Sequence, residues 1–256
     1  MGNNIKYVDI VIYIIKFFVI TIMTDIVIGS LTIKKFQLED IIPSAHITII
    51  GNRQRGKSHL IKNILYHHQT IPAFLVVNPR EEMEPFYSHF VPKLFIHPTL
   101  EPDTLSRVFH RQHSIMKKKQ HDSRAIIVMD DCISSSTFFK DPKCKEMIMN
   151  GRRLNLSSIL TLQFPLNISP EIRINMDYIF LFGTENEHHR KRIYEQYAGF
   201  FPTFAKFNEI FQEITSSPYR CMVIKNAVPC FSDVSDMLFW FEAEFVPDFY
   251  MTTNKE

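Results

Sequence analysis

Residues 51 to 58 read Gly-Asn-Arg-Gln-Arg-Gly-Lys-Ser, a G-x-x-x-x-G-K-S run without a mismatch. No other stretch limits the fold as much, because the motif works only between a strand and a helix. Both flanks are present. His46-Ile-Thr-Ile-Ile50 has the composition of a buried strand, and Leu60, Ile61, Ile64 and Leu65 recur at helical spacing behind the loop. Gly51 and Gly56 let the backbone turn tightly, so that successive N–H groups face a phosphate. The helix opening at Lys57 adds its positive dipole end. The segment Gly51, Asn52, Arg53, Gln54, Arg55, Gly56, Lys57, Ser58 is therefore read as a phosphate cradle for a nucleoside triphosphate. Lys57 is expected at the β- and γ-phosphates and the Ser58 hydroxyl at Mg²⁺.

Composition decides less. With only seven glycines in 256 residues, two of them at the motif's required positions is hard to ascribe to chance. Hydrophobic content of 45% and charged content of 22% are those of a globular chain with room for one large domain or two small ones. A net charge of +2 does not by itself argue for nucleic acid, although basic groups gathered on one surface suffice for a DNA-handling protein. Cys132, Cys144, Cys221 and Cys230 lack metal-ligand spacing and read as free thiols of a reducing compartment.

The N-terminal segment, from Val8 to Leu31, is rich in Ile, Val and Phe but is interrupted by Asp9, Lys16 and Asp25. Its longest uncharged run, Phe17–Thr24, is far short of the ~18 apolar residues of a membrane span. A membrane is not expected among the partners, this segment alone leaving it open, and an export signal would part the loop from cytosolic nucleotide. Met23 is a second expected start, since a strand-like run and the loop's strand follow it intact.

Further elements follow in order. Strands are predicted at Phe74–Asn78, Lys93–His97, Ala125–Asp131, Ser157–Gln163, Tyr178–Phe182 and Tyr219–Lys225. Between them, helices are predicted over Leu105–Lys119, from an Asp141 N-cap and Pro142 to Gly151, as a short turn at Ser169-Pro170, after a Thr184/Glu187 capping box, and over Phe204–Ile214. This alternation implies an α/β fold, a mostly parallel central sheet flanked by helices on both faces. Ligands of such sheets bind at the carboxyl ends of the strands.

The polar residues at those ends supply the chemistry. Asp130 and Asp131 close an apolar strand. Asp130 is the expected Mg²⁺ ligand, direct or through water, and Asp131 is expected to orient or deprotonate the attacking water. Gln163 closes the next strand as a γ-phosphate sensor or water-positioning amide. A separate strand between the loop's strand and the acidic strand, with a polar sensor strand after it, points to the branch that holds the RecA-like motors. Ring motors use an arginine from the neighbouring subunit. Arg173 is the first candidate, and Arg152 or Arg153 the second.

Taken in order, Gly51–Ser58, Ile126–Asp131, Gly151–Ser157, Thr161–Gln163 and Pro170–Tyr178 closely resemble the poxvirus-type genome-packaging ATPases of nucleocytoplasmic large DNA viruses, in the FtsK–HerA superfamily of P-loop ATPases. The resemblance covers roughly residues 35 to 226. It implies a RecA-like ATPase that uses ATP and Mg²⁺ and forms a homo-oligomeric ring. It implies that the ring drives double-stranded DNA into a capsid, docked on a capsid or portal component, in the virion or the host cytoplasm. On this view residues 1–30 are a hydrophobic extension, 31–230 the ATPase domain and 231–256 a C-terminal extension. Two features depart from the pattern. Arg53, Gln54 and Arg55 stand where small residues are usual, and Asp131 stands where Glu is commonest, which keeps Glu81 or Glu82 as alternative bases. A cellular HerA- or FtsK-like translocase and a nucleotide-gated assembly protein with weak hydrolysis are the alternatives. Lys117–Lys119 and Arg190–Arg192 are candidate phosphate contacts to DNA, or else solvated helix faces.

Overall fold

The computed structural model describes residues 25–29, 31–101, 103–118, 122–226 and 233–252. The expectations for residues 1–24, including the Met23 start, lie outside them, as do Lys119 and Cys230. The strands are β1 (Ile26–Ile28), β2 (Leu31–Lys35), β3 (His46–Ile50), β4 (Ala73–Val77), β5 (Ile96–His97), β6 (Ala125–Ile133), β7 (Leu156–Leu162), β8 (Tyr178–Phe182), β9 (Arg220–Lys225) and β10 (Leu238–Glu242). They form one sheet in the order β1-β2-β10-β9-β8-β3-β7-β6-β4-β5. From β8 to β5 every neighbouring pair is parallel, and β10 is parallel to β2. Antiparallel pairing is confined to β1–β2, β8–β9 and β9–β10. The sheet is mostly parallel, as expected.

Its strands alternate because both faces are buried. In β6, Ile126 and Val128 join one core while Ala125, Ile127 and Met129 join the other. β8 does the same with Tyr178, Phe180 and Phe182 against Ile179 and Leu181. Helix α1 (Lys57–His67) covers the first face through Leu60, Ile61, Ile64 and Leu65, which are all but fully buried. Each such side chain contributes about 1.5–3 kcal/mol of burial. The second face carries α2 (Thr104–Lys118), α3 (Pro142–Asn150), α4 (Pro170–Arg173), α5 (Glu187–Tyr197) and α6 (Phe204–Ile214).

The strand order matters most for function. β7 lies between β3, which leads into the glycine loop, and β6, which carries the two aspartates near its carboxyl end. Along the chain, the separate strand expected between the loop and the acidic strand is β4. In the sheet, the later polar-ended strand β7 stands between them, and Gln163 follows its last residue. At the other flank, β10 is inserted between β2 and β9, so residues beyond 230 complete the sheet. The chain then runs back over α1. Asn63 donates to the Glu244 carbonyl at 2.9 Å and accepts its N–H at 2.8 Å, and the Met251 N–H reaches the Phe90 carbonyl at 2.9 Å.

Two local expectations are corrected. Lys93–His97 is not a full strand. Lys93–Phe95 is a 3₁₀ turn closed on the Pro92 carbonyl, and only Ile96–His97 pairs with β4. Prolines on both sides leave too few ladder donors for a longer edge strand. Helix α5 starts two residues later than the Thr184/Glu187 box predicts. Asn186 is its N-cap, accepting the His189 N–H, while Thr184 is buried and accepts the Asn186 N–H. Gly151 follows the last residue of α3, as expected. Its φ is −53° and the left-handed residue is Asn155 at +50°. Glycine is required there by contact, since a Cβ would lie 2.6 Å from His46 Cε1. Cys132, Cys144 and Cys221 are free thiols. Among the described residues no helix is long and apolar enough to cross a membrane.

Candidate nucleotide-binding site

At the carboxyl ends of β3, β6 and β4 lies a cleft of about 770 Å³, inside the roughly 300–1,000 Å³ range of small-molecule sites. Arg53, Gln54, Gly56, Lys57, Ser58, Asp130 and Asp131 all line it. Residues from two motifs more than seventy positions apart thus share one surface. A second cleft, about 630 Å³, lies between α2 and the β4 edge. It is lined mainly by apolar side chains such as Phe74 and Val108 and holds neither the loop nor a carboxylate.

The loop is shaped as the glycines require. The Gly51 N–H bonds the Leu162 carbonyl at 3.0 Å, and a Cβ on Gly51 would lie 2.7 Å from Phe182 Cβ. Gly56 has φ +104° and backs onto the Tyr219 ring, where a Cβ would sit 2.5 Å from Cδ1. Lys57 Nζ donates to the Asn52 carbonyl at 3.0 Å. Burial lowers the Lys57 pKa, Asp130 and Asp131 oppose that shift, and Arg53 and Arg80 add to it. Arg55 does not line the cleft and pairs instead with Glu185 at 3.3 Å.

Asp130 is nearly fully buried and accepts from three hydroxyls. Ser58 Oγ and Tyr87 Oη each donate to Oδ2 at 2.8 Å, and Thr161 Oγ1 donates to Oδ1 at 2.9 Å. The buried Tyr87 hydroxyl has its pKa raised by desolvation and by the Asp130 charge, so it is held as a donor. Burial likewise pushes the Cys132 thiol up to about 12, with Asp130 adding to it. Asp131 sits in the left-handed region at φ +54°, where the β6 ladder slips register after Met129. Its N–H bonds Thr161 Oγ1 at 2.9 Å. Gln163 Nε2 donates to Asp131 Oδ1, and Arg80 Nε lies 3.4 Å from Oδ2.

The other predicted residues fall elsewhere. Arg173, in α4 beyond Gln163, donates to the Ile168 carbonyl at 3.1 Å and does not line the cleft of its own chain. Arg152 pairs with the buried Asp177, whose carboxylate also accepts the His46 N–H at 2.8 Å, placing it at the amino end of β3. Arg153 is exposed in the turn after α3. Glu81 is committed to the N–H groups of Phe86, Tyr87 and Ser88, and Glu82 is exposed outside the cleft. Arg190 is no surface cation: it is buried and bonds Asn208 and the Thr184 carbonyl. Lys117, Lys118, Lys191 and Arg192 are exposed.

Sequence reading missed Arg80, Tyr87 and Thr161. Arg80 was findable, standing just past the carboxyl end of β4, where ligands of parallel sheets bind. Thr161 was also findable, as a polar residue inside an apolar strand. Tyr87 had no signal, since its meeting with Asp130 depends on how the loop after β4 folds.

The fold and the cleft define a P-loop NTPase of RecA-like architecture. No protein-family model matches the chain. The uncharacterised protein L437 of Acanthamoeba polyphaga mimivirus is 35% identical over 218 residues, 82% of this chain and 76% of that one. The uncharacterised protein 088R of Invertebrate iridescent virus 3 is 32% identical over 200 residues, 78% of this chain and 76% of that one. The chain belongs to the family of viral proteins that includes L437 and 088R.

Among solved structures, B204, the DNA-packaging ATPase of Sulfolobus turreted icosahedral virus, aligns over 80% of this chain and all of its own, with TM-score 0.56 and 15% identity. The packaging NTPase B204 of Sulfolobus turreted icosahedral virus 2 with ATP-γS aligns over 78% and 97%, with TM-score 0.51 and 16% identity. The conjugation coupling protein TcpA of pCW3 with ATPγS aligns over 89% and 66%, with TM-score 0.54 and 15% identity. At these identities the likeness is one of fold.

Proposed function

We propose that this protein is an ATP-hydrolysing motor that translocates double-stranded DNA into viral capsids during genome packaging. The observation that carries the reading is the junction of the two motifs, Ser58 hydrogen-bonded to Asp130 at 2.8 Å with Lys57 and Asp131 on the same cleft. A hydroxyl beside a buried carboxylate is the oxygen donor set that Mg²⁺ takes from a P-loop site, the rest of its shell being phosphate and water. Ser58 and Asp130 fit that ion, which when bound neutralises charge on the β- and γ-phosphates.

The chain's own groups do the rest. The Gly51–Ser58 backbone and Lys57 bind the phosphates. Asp131 orients the attacking water or takes its proton, and Gln163, bonded to Asp131, relates that carboxylate to the γ-phosphate. Arg173, which does not line its own cleft, acts on a neighbour's cleft in a homo-oligomeric ring. The viral origin of the relatives supports action in the virion or host cytoplasm, and the motor reading itself calls for a capsid or portal partner. DNA contacts fall to exposed cations such as Lys117 and Lys118 and are therefore salt-dependent.

The test is ATP turnover by size-resolved oligomers with and without duplex DNA. Stimulation by DNA of any sequence is expected, and turnover indifferent to DNA removes the motor reading. Depletion during infection should then leave capsids without DNA. Filled capsids would assign the motor another task.

A further inference from the structure

Two carboxylates at the end of β6 need fixed orientations if one is to hold a cation and the other a water. The P-loop approaches them from the β3 side. From the β4 side comes the segment 78–91, and its shape is set internally. Asn78 Oδ1 accepts the Arg80 N–H at 2.9 Å. The single carboxylate of Glu81 accepts the N–H groups of Phe86 and Tyr87 at 3.1 Å and of Ser88 at 2.8 Å. The Val91 N–H closes on the Tyr87 carbonyl at 2.7 Å, and the Phe90 carbonyl holds the Met251 N–H. This loop is a folded unit that presents chosen side chains.

Two of those side chains end on the two carboxylates. Of the hydroxyls on Asp130, that of Ser58 belongs to the P-loop and is the one expected at the cation. Thr161 on Oδ1 and Tyr87 on Oδ2 are then the donors that keep Asp130 oriented, and Tyr87 is fully buried, with no freedom to leave. Asp131 is a non-glycine residue in the left-handed region, a conformation that persists only where the surroundings over-determine it. Gln163 occupies Oδ1 and Arg80 faces Oδ2.

We propose that the loop after β4 sets the geometry of both carboxylates, with Tyr87 the positioning residue for Asp130 and Arg80 the positioning residue for Asp131, each within its own subunit. The proposal rests on the reading of the cleft as an ATP-hydrolysing site. Its rival is that Arg80, which also lies 3.6 Å from Glu84, is one more exposed rim pair, and such pairs carry little. The two differ in kinetics.

The experiment uses the full chain and three variants, with kcat, KM, Mg²⁺ dependence, ATPγS affinity and unfolding midpoint measured on each. In Tyr87→Phe, kcat should fall roughly tenfold or more and the half-saturating Mg²⁺ concentration should rise severalfold. In Arg80→Ala, kcat should fall roughly tenfold to a hundredfold with KM and ATPγS affinity within about twofold of wild type. Arg80→Lys should keep part of the activity, and added guanidinium ion should restore part of it to Arg80→Ala. Arg80→Ala mixed with Lys57→Ala should show no gain over its own residual activity at any ratio.

Wild-type kcat and Mg²⁺ dependence in Tyr87→Phe overturn its assignment. Wild-type turnover in Arg80→Ala, or a loss confined to KM, overturns the other, and rescue on mixing overturns action within one subunit. A wild-type protein that neither binds nor hydrolyses ATP takes down the reading of the cleft and this proposal with it. Active wild type with indifferent variants removes the proposal alone.

Discussion

Ser58 Oγ donates to Asp130 Oδ2 at 2.8 Å across 72 positions of sequence. One residue lies in the first turn of the helix behind a glycine loop and the other toward the carboxyl end of β6, two places from β3 in the sheet. Their contact turns two separate motifs into one site, and most of what can be tested follows from it.

Asp130→Ala should lose turnover and also stability. The substitution strips the acceptor from the fully buried Tyr87 hydroxyl, and a stranded buried donor costs about 1–3 kcal/mol. Urea unfolding at neutral pH reads the loss. Tyr87→Phe in the same background should recover part of the stability and none of the activity; an unshifted midpoint in Asp130→Ala contradicts the assigned hydrogen bond.

Lys57→Ala should reduce turnover to background while unfolding free energy changes by no more than about 1 kcal/mol. The ammonium donates to the Asn52 carbonyl, and the cost of its burial, which lowers its pKa, offsets the loss of that bond. Hydrolysis at the wild-type rate would move the active site elsewhere.

Gly56→Ala should abolish ATPγS binding. A residue with a Cβ at φ +104° is strained by about 1–2 kcal/mol or more, and the methyl would lie 2.5 Å from the Tyr219 ring. Gly199→Ala is the control: a Cβ there meets nothing within 4 Å, so binding should be unchanged. Calorimetric titration of both separates a shaped loop from a merely flexible one.

Arg173→Ala should keep nucleotide affinity and lose turnover. Mixed with Lys57→Ala it should regain activity, because each chain then supplies what the other lacks. No rescue at any ratio ends the trans role.

His46 makes the fold pH-dependent. Burial, with Arg152 adding to it, lowers its pKa from 6.5 to about 4. Between those values the unfolded chain binds the extra proton, so stability falls as pH drops from about 6.5 to about 4, by at most about 3 kcal/mol. The lowered pKa values of His68 and His189 act in the same sense. Denaturant unfolding at pH 7 and pH 5 should show a smaller difference in His46→Gln than in wild type. An equal difference assigns the slope to other groups.

The elements of this protein were legible wherever the signal is local. The P-loop, the acidic strand end, the Asp141 cap and the paired apolar helices all rest on residues within one or two turns of each other. Expectation went wrong where two local signals competed. At Thr184 and Asn186 both side chains can cap a helix, and burial of Thr184 decided between them. At Lys93–His97 the β propensity of Leu94, Phe95 and Ile96 was overridden by Pro92, whose carbonyl closes a turn.

By itself the sequence determined that the chain has a phosphate-binding loop between a strand and a helix and acidic and amide residues at later strand ends. Those features are written in neighbouring residues. Only the tertiary structure decided that β7 separates β3 from β6, that Thr161 therefore reaches Asp130, and that Arg80 and Tyr87 close on the two carboxylates from the β4 side. Such meetings depend on strand order and on the fold of one long loop. Neither leaves a period in the sequence, because side chains that meet across a sheet are chosen by distance in space.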